Sequence, residues 1–350
     1  MAKTIISQLD FINRHEEKKY LNRYFNNIPN AILFLYGPKS CGKSTLITKT
    51  ISNLDNKKYA INHINLRGTI IKNFDSFLNI FFQEDEQKTK KNIKSLLKAI
   101  TLNIGFFKLT MRDKEIFAKN PFKIMEDQLR KMNEKGIRPV IIIDEIQNLK
   151  SIYINGERRL LDELFNFFIR LTKEVNLAHI VLATSDSYFI HEIYNSAKLA
   201  KTSEFYFIDH LQKKDIEKWL GDPKYNLAKK DIETIYKYFG GSPWEIHQIL
   251  TEISNKDANL KKIIKQRIDE LFGKVFDFYN IDLENQNHLQ SQFKKISKLI
   301  AKDGFYKVKP SDKLSDILKL TIEKDFWFYK ASEQKIRANS PSLKHCFTQL

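Results

Sequence analysis

The sequence is short of the residues that build several common kinds of protein. It has two cysteines in 350 residues, Cys41 and Cys346. Two are too few for a disulfide framework or a cysteine metal cluster. The eight histidines are scattered without an H-x-x-x-H pair, so no metal-ligand spacing emerges, and they are read as structural or surface residues. Glycine (11) and proline (8) are sparse, and neither a low-complexity linker nor an internal repeat interrupts the chain. One Gly-Ser pair occurs, Gly241-Ser242, outside the G-x-S-x-G frame of a nucleophile elbow. No apolar run nears the ~18 residues that span a bilayer. The first ten residues, MAKTIISQLD, lack the apolar stretch of a signal peptide. The expectation is a cytoplasmic protein with no membrane partner.

Positive charge is what the chain has in excess. Lys and Arg number 59 against 42 Asp and Glu, a formal net charge of +17 with a pI near 9.5. Such a balance favours an acidic partner, nucleic acid or an anionic surface, although a Lys-rich surface also serves solubility alone. With 42% hydrophobic residues, the chain can bury one large core or two smaller ones.

Short apolar runs alternate with helical stretches over the first two thirds. Ala31–Tyr36, Tyr59–Leu66, Pro139–Asp144, His179–Thr184 and Phe205–Asp209 read as nearly continuous apolar strands, the pattern of a sheet covered on both faces. Helices lie between them, the clearest over Arg158–Glu174, so the pattern predicts a parallel α/β sheet. Residues 73–135 look like a helical insertion. After Asp209 only helices follow: Lys213–Leu220, Lys229–Phe239 and Pro243–Ser254. Phe239–Pro243 (FGGSP) reads as a helix stop and a proline-initiated start. Leu289, Phe293, Ile296 and Ile300 recur at helical spacing, as do Leu314, Ile317, Leu318 and Thr321. Asp325–Ser340 alternates like two strands around a turn. Helix, helix, hairpin is the outline of a winged helix. The expected division is a core over 1–209, a helical lid over 210–270 and a winged helix over 271–350.

Chemistry enters at LYGPKSCGKST, Leu35–Thr45. Gly37, Pro38, Lys39, Ser40, Cys41, Gly42, Lys43, Ser44 and Thr45 carry the pattern G-x-x-x-x-G-K-[ST] between a strand and a helix, the context a phosphate-binding loop requires. Its glycines let the backbone wrap, and successive N–H groups and the helix N-terminus face phosphate oxygens. Lys43 brings charge to the β- and γ-phosphates and Ser44 offers a hydroxyl to Mg²⁺. Val140–Gln147 (VIIIDEIQ) ends a strand in two acids. Asp144 is placed to hold Mg²⁺ with Ser44, leaving Glu145 to polarise an attacking water. Together these predict ATP binding and hydrolysis to ADP and phosphate. Thr184-Ser185-Asp186 ends the next strand, where Ser185 could sense the γ-phosphate or the triplet could simply cap a helix. Arg158, Arg159 and Arg170 read as a solvated helix face, and none is singled out as an arginine finger.

With these residues placed, the chain resembles the archaeal ATPase family, a branch of the STAND P-loop ATPases related to AAA+ and origin-recognition ATPases. The phosphate loop and acidic strand carry part of the resemblance. Phe11–Leu21 (FINRHEEKKYL), Leu164–Ile190, Gly240–Ile246 (GGSPWEI) and the terminal FWFYKASEQKIRANSPSLKHCF carry the rest, over nearly the whole chain. The resemblance implies that Asn13 and Arg14 lie near the nucleotide while Glu17 and Leu21 dock their helix. It also implies that Pro243 approaches the nucleotide from a helical lid. It further implies a five-strand core with the sensor strand between the other two catalytic strands, and an ATP-driven conformational switch. One departure is the missing Gly-Arg pair before the fifth strand, where Leu199–Glu204 offers only lysines nearby, Lys198 and Lys201. Turnover is therefore expected to be slow or partner-stimulated.

Residues 261–350 hold 18 Lys/Arg and 11 Asp/Glu, a net of +7. A winged helix would insert its second helix, about Ser311–Ile322, into the major groove of double-stranded DNA. Lys313 and Lys319 would reach the groove, and Lys330, Lys335 and Arg337 on the hairpin would meet phosphates. Such a domain also serves packing, self-association or capture of a protein partner. Two outputs thus stand side by side, DNA contact and a STAND-type scaffold. A small-molecule kinase fits less well, since Glu145 suits water activation and no acceptor-pocket motif accompanies it.

Overall fold

A computed structural model describes residues 12–84, 107–109, 120–253, 259–309 and 311–350. Part of the expected insertion at 73–135 lies outside the described residues. Five parallel strands form the central sheet: β1 (Ile32–Tyr36), β2 (Tyr59–Asn65), β3 (Arg138–Asp144), β4 (His179–Thr184) and β5 (Ser203–Phe207). Their order is β2-β3-β4-β1-β5, so β4 lies between the strand of the phosphate loop and the acidic strand, as the resemblance implied. The inner strands β1, β3 and β4 are buried almost throughout. The edge strands β2 and β5 are only partly buried, because each has one unpaired side and less cover.

Alternate residues of each strand face opposite layers. Leu33, Leu35, Val140, Ile142, Val181 and Ala183 pack with Leu21, Tyr24 and Phe25 of α1 (His15–Asn26) and Leu46 and Ile47 of α2 (Lys43–Ile51). Ile32, Phe34, Ile141, Ile143, Ile180 and Leu182 face the other way. They pack with α3 (Phe74–Phe81), α4 (Pro121–Glu134), α5 (Leu160–Ile169) and α6 (Ser187–Tyr194). The sheet is thus the middle of three layers. Within the expected insertion, α4 buries Ile124, Met125 and Leu129 in this main core and leads directly into β3. The helix expected from Arg158 starts at Leu160, because Arg158–Arg159 pairs as a short ladder with Tyr153–Ile154. Its last turn widens into a π-turn at Arg170–Glu174.

The C-terminal part is built from α7 (Lys213–Leu220), α8 (Lys229–Phe239), α9 (Pro243–Ile253), α10 (Leu260–Asp277), α11 (Asn287–Asp303), α12 (Ser315–Glu323) and α13 (Pro341–Cys346). A three-stranded antiparallel sheet accompanies them: β6 (Tyr306–Lys307), β7 (Trp327–Lys330) and β8 (Lys335–Ala338), in the order β6-β8-β7. One continuous core runs from Leu211 to Phe347, and α10 crosses residue 270 with Ile264, Ile268 and Val275 buried. Glu245 on α9 and Ser342 on α13 are hydrogen bonded within it.

The two bodies touch through the hairpin. Phe328 of β7 is buried in the main core of the parallel sheet. The Tyr329 N–H donates to Ser187 Oγ on α6 at 3.0 Å. Among the described residues, no helix is long and apolar enough to cross a membrane.

Candidate nucleotide-binding site

The phosphate loop leaves β1 at Gly37. A Cβ there would lie 1.9 Å from the Ile208 carbonyl oxygen, so only glycine lets the loop pass the chain emerging from β5. Gly42 adopts φ 94° where α2 begins, a conformation that favours glycine. The loop therefore feeds into a helix N-terminus, a ready anion site. Lys43 is buried, and its ammonium donates to the Gly37 and Pro38 carbonyls at 2.9 and 2.8 Å.

Beside it the acidic strand end closes a polar cluster. Ser44 Oγ donates to Asp144 Oδ2, and Asp144 Oδ1 accepts the Glu145 N–H at 3.0 Å. Glu145 is buried and held at φ 61°, a conformation uncommon for a non-glycine residue. Its carboxylate accepts from Gln147 Nε2, pairs with the Arg67 guanidinium at 2.5 Å and is faced by Ser185 Oγ at 3.4 Å. Gln147 Oε1 in turn accepts from Thr184 Oγ1 at 2.7 Å. The strand order explains the cluster, since β4 delivers Thr184 and Ser185 next to the end of β3.

On the opposite side Arg14 is the link. It sits at φ 72° just before α1 and is buried. Its guanidinium donates to the carbonyls of Cys41 at 2.5 Å and Asp209 at 2.7 Å, and to Glu17 at 2.8 Å. The Asp209 carboxylate takes both arms of Arg337 from β8, at 2.8 and 2.7 Å. Burial pushes the Asp209 carboxyl up, but hydrogen bonding and charge from Arg337 outweigh it and hold the group below the usual carboxylate range. Lys39 of the loop pairs with Asp325 at the base of the hairpin.

These groups surround a cavity of about 210 Å³ lined by Ile12, Arg14, Lys39, Ser40, Cys41, Gly42, Lys43, Ser44, Thr45, Arg67, Glu145, Leu211, Pro243 and Trp244. Most of the expected nucleotide-binding residues therefore converge. Gly37 and Pro38 contribute the carbonyls that hold Lys43, and Asp144 lies beneath, on Ser44. Asn13 turns away and donates to Asp215 on α7. Ser185 Oγ faces Glu145 at 3.4 Å, while Asp186 caps α6 by accepting the Phe189 N–H at 2.9 Å. Of the expected DNA-contacting residues, Lys313 and Lys319 are exposed. The hairpin cations are engaged within the chain: Lys330 and Lys335 pair with Glu333, and Arg337 with Asp209.

Among the described residues, no cluster of three or more His, Cys, Asp or Glu side chains could cage a metal ion. One hydroxyl and one carboxylate, Ser44 and Asp144, fit Mg²⁺, which keeps waters and takes phosphate oxygens to complete its shell.

The comparisons with known proteins bear on this arrangement. The profile of a family described as "ATPase domain predominantly from Archaea" matches residues 11–249. The chain belongs to this archaeal ATPase family. An uncharacterized ATP-binding protein of Methanocaldococcus jannaschii is 36% identical over 340 residues, covering 94% of this chain and 96% of the relative. A second from the same organism is 34% identical over 351 residues, covering 98% and 97%. Among solved structures, a Walker-type ATPase of Pyrococcus abyssi has a TM-score of 0.58 at 16% identity, covering 97% and 96%. The ORC2 protein of Aeropyrum pernix in ADPNP–ADP complexes has a TM-score of 0.53 at 13% identity, covering 99% and 96%. These two share the fold.

This archaeal ATPase places four further side chains at the cavity that sequence reasoning did not single out: Ile12, Arg67, Leu211 and Trp244. Strand pairing explains one of them, and sequence position another. Asn65 of β2 stands in register with Asp144 of β3, so a cation two residues beyond Asn65 emerges beside the acidic pair. Trp244 directly follows the proline expected to face the nucleotide.

Proposed function

We propose that this archaeal ATPase is a Mg-dependent, ATP-hydrolysing switch whose nucleotide state governs whether its C-terminal winged helix is free to contact duplex DNA. The observation that carries hydrolysis is the placement of Glu145. It is buried one residue beyond the carboxylate that Ser44 contacts, at the rim of the loop that holds Lys43. Ser44 and Asp144 would hold Mg²⁺, which neutralises charge on the β- and γ-phosphates. Lys43 would turn from two backbone carbonyls to those phosphates. Glu145, oriented by Gln147 and Ser185, would take a proton from the attacking water, giving ADP and phosphate. The cavity's two arginines, Arg14 and Arg67, are both paired within the chain, which fits slow or partner-stimulated turnover.

Coupling is supported by a chain of contacts from the loop to the hairpin. The Cys41 carbonyl and the Asp209 carbonyl share Arg14, and the Asp209 carboxylate holds Arg337. A shift of the loop is thus felt at β8 through two arginines. Release of the hairpin would add Lys330, Lys335 and Arg337 to the exposed Lys313 and Lys319, giving a cationic face for phosphates. The test is duplex DNA binding at increasing salt, with ADP and with a non-hydrolysable ATP analogue. Affinity should fall steeply with salt and differ between nucleotides. Negligible binding at low salt in both states would end the DNA reading.

A second reading, a STAND-type scaffold with protein output, is favoured by one observation. The hairpin is docked on the ATPase body, with Phe328 in that body's core and Tyr329 bonded to Ser187. It predicts nucleotide-dependent self-association or partner capture, without DNA, by light scattering.

A further inference from the structure

Arg67 lies in a short turn at the end of β2, and its backbone is fixed. Its N–H donates to Asn65 Oδ1 at 3.0 Å, Thr69 Oγ1 donates to the Asn65 carbonyl at 3.3 Å, and Leu66 beside it is buried. Register does the rest, because Asn65 stands opposite Asp144. The side chain, by contrast, reaches into solvent. Arg67 is 58% exposed, while the Glu145 carboxylate it contacts at 2.5 Å is 6% exposed. The pair joins a solvated cation to a fixed, buried anion at the cavity wall.

The cavity has two chemically distinct ends. Lys43, Ser44, Arg67 and Glu145 gather at the end of β3. Leu211, Pro243 and Trp244 gather near α9, where the Leu211 N–H donates to the Gly241 carbonyl at 2.9 Å. On the ATPase reading, phosphates would sit at the first end, beside Lys43 and the helix N-terminus, and a base at the second. A bare Glu145 carboxylate would repel a terminal phosphate. A guanidinium already seated on that carboxylate offsets the repulsion and has further N–H donors to offer.

We propose that Arg67 reads the terminal phosphate of ATP: it exchanges its contact with Glu145 for that phosphate, which frees Glu145 to act on water and lets the site tell ATP from ADP. The proposal rests on the ATPase reading above and adds a residue to it. ADP has no group within this exchange, so it should bind without using Arg67.

The experiment compares Arg67→Ala and Arg67→Lys with the unaltered chain, using fluorescence titration with ADP and with a non-hydrolysable ATP analogue, and steady-state phosphate release. Arg67→Ala should keep ADP affinity within about twofold, weaken the analogue at least about tenfold and lower kcat. Arg67→Lys should recover part of both losses, because it keeps the charge without the fork. Equal weakening of ADP and analogue, or no weakening of either, overturns the proposal. If the unaltered chain binds the analogue but releases no phosphate, the hydrolysis reading falls, and the analogue-to-ADP ratio still decides for or against Arg67. An unchanged thermal melt establishes that the variants fold.

Discussion

Glu145 is held in a left-handed backbone conformation and by three polar neighbours, an arrangement that costs about 1–3 kcal/mol in strain and is found where geometry must be kept. Replacing it with glutamine keeps shape and hydrogen bonding but removes the base. Glu145→Gln should therefore bind ATP within a few-fold of the unaltered chain and lose roughly a hundredfold or more in turnover, read by phosphate release. Unchanged hydrolysis would remove Glu145 from its role. Lys43 acts earlier. Its ammonium bridges the Gly37 and Pro38 carbonyls and is the buried cation of the loop. Lys43→Ala should lose nucleotide binding itself, seen as the absence of saturable titration with ADP as well as ATP. Retained ADP affinity would show that backbone N–H groups alone suffice.

Elements carry a second kind of consequence. His179 opens β4, fully buried beside the rings of Tyr24 and Phe25, with centroids at 5.0 and 5.7 Å. Burial pushes its imidazole down to about 4, and the charge of Arg138 adds to the effect. The unfolded chain takes up this proton nearer pH 6.5, so between about pH 4 and 6.5 it binds more protons than the folded one. Stability should therefore fall as pH falls through that window, by on the order of 3 kcal/mol from this residue by pH 4. His179→Leu should flatten the melting temperature against pH over this range; an undiminished slope would assign the effect elsewhere. The inner strands were legible because their apolar runs are local and continuous: β4 has the bounds its pattern suggested, and α7 and α8 do too. Where periodicity failed, a tertiary partner had intervened. Arg158–Arg159 leaves the helix for a ladder with Tyr153–Ile154. The helix expected from Ser311 waits until Ser315, because Asp312 accepts the Lys309 N–H at 2.8 Å and the Tyr306 hydroxyl at 2.7 Å, pinning a turn. The site divides the same way. The phosphate loop and Asp144-Glu145 are contiguous motifs, whereas Arg67 reaches Glu145 across 78 residues, a contact that no local pattern encodes.

On the scale of the molecule, two bodies are joined by a polar seam that includes the phosphate loop. One body has a core on each face of the parallel sheet, the other a core that runs from Leu211 to Phe347, and Phe328 is a side chain of the second body buried in the first. Around it lie the Arg337–Asp209 pair, the Lys39–Asp325 pair and the Tyr329–Ser187 bond. Phe328 supplies area, and its truncation to alanine should cost about 3 kcal/mol or more, as for other buried aromatics. The polar contacts supply direction, because two of them end on the phosphate loop or on Asp209, whose carbonyl Arg14 ties to that loop. Arg337→Ala should loosen the seam without unfolding either body. Hydrogen exchange would then quicken at the amides of Trp327–Lys330 and Lys335–Ala338 and stay slow in β1, β3 and β4. A non-hydrolysable ATP analogue added to the unaltered chain should quicken the same amides if the loop and the hairpin move together. Uniform quickening across both bodies in Arg337→Ala would mean that the pair supports global stability and not the seam. Unaltered exchange at the hairpin would mean that Phe328 packing alone holds it, and the loop would then have no polar lever on the C-terminal body.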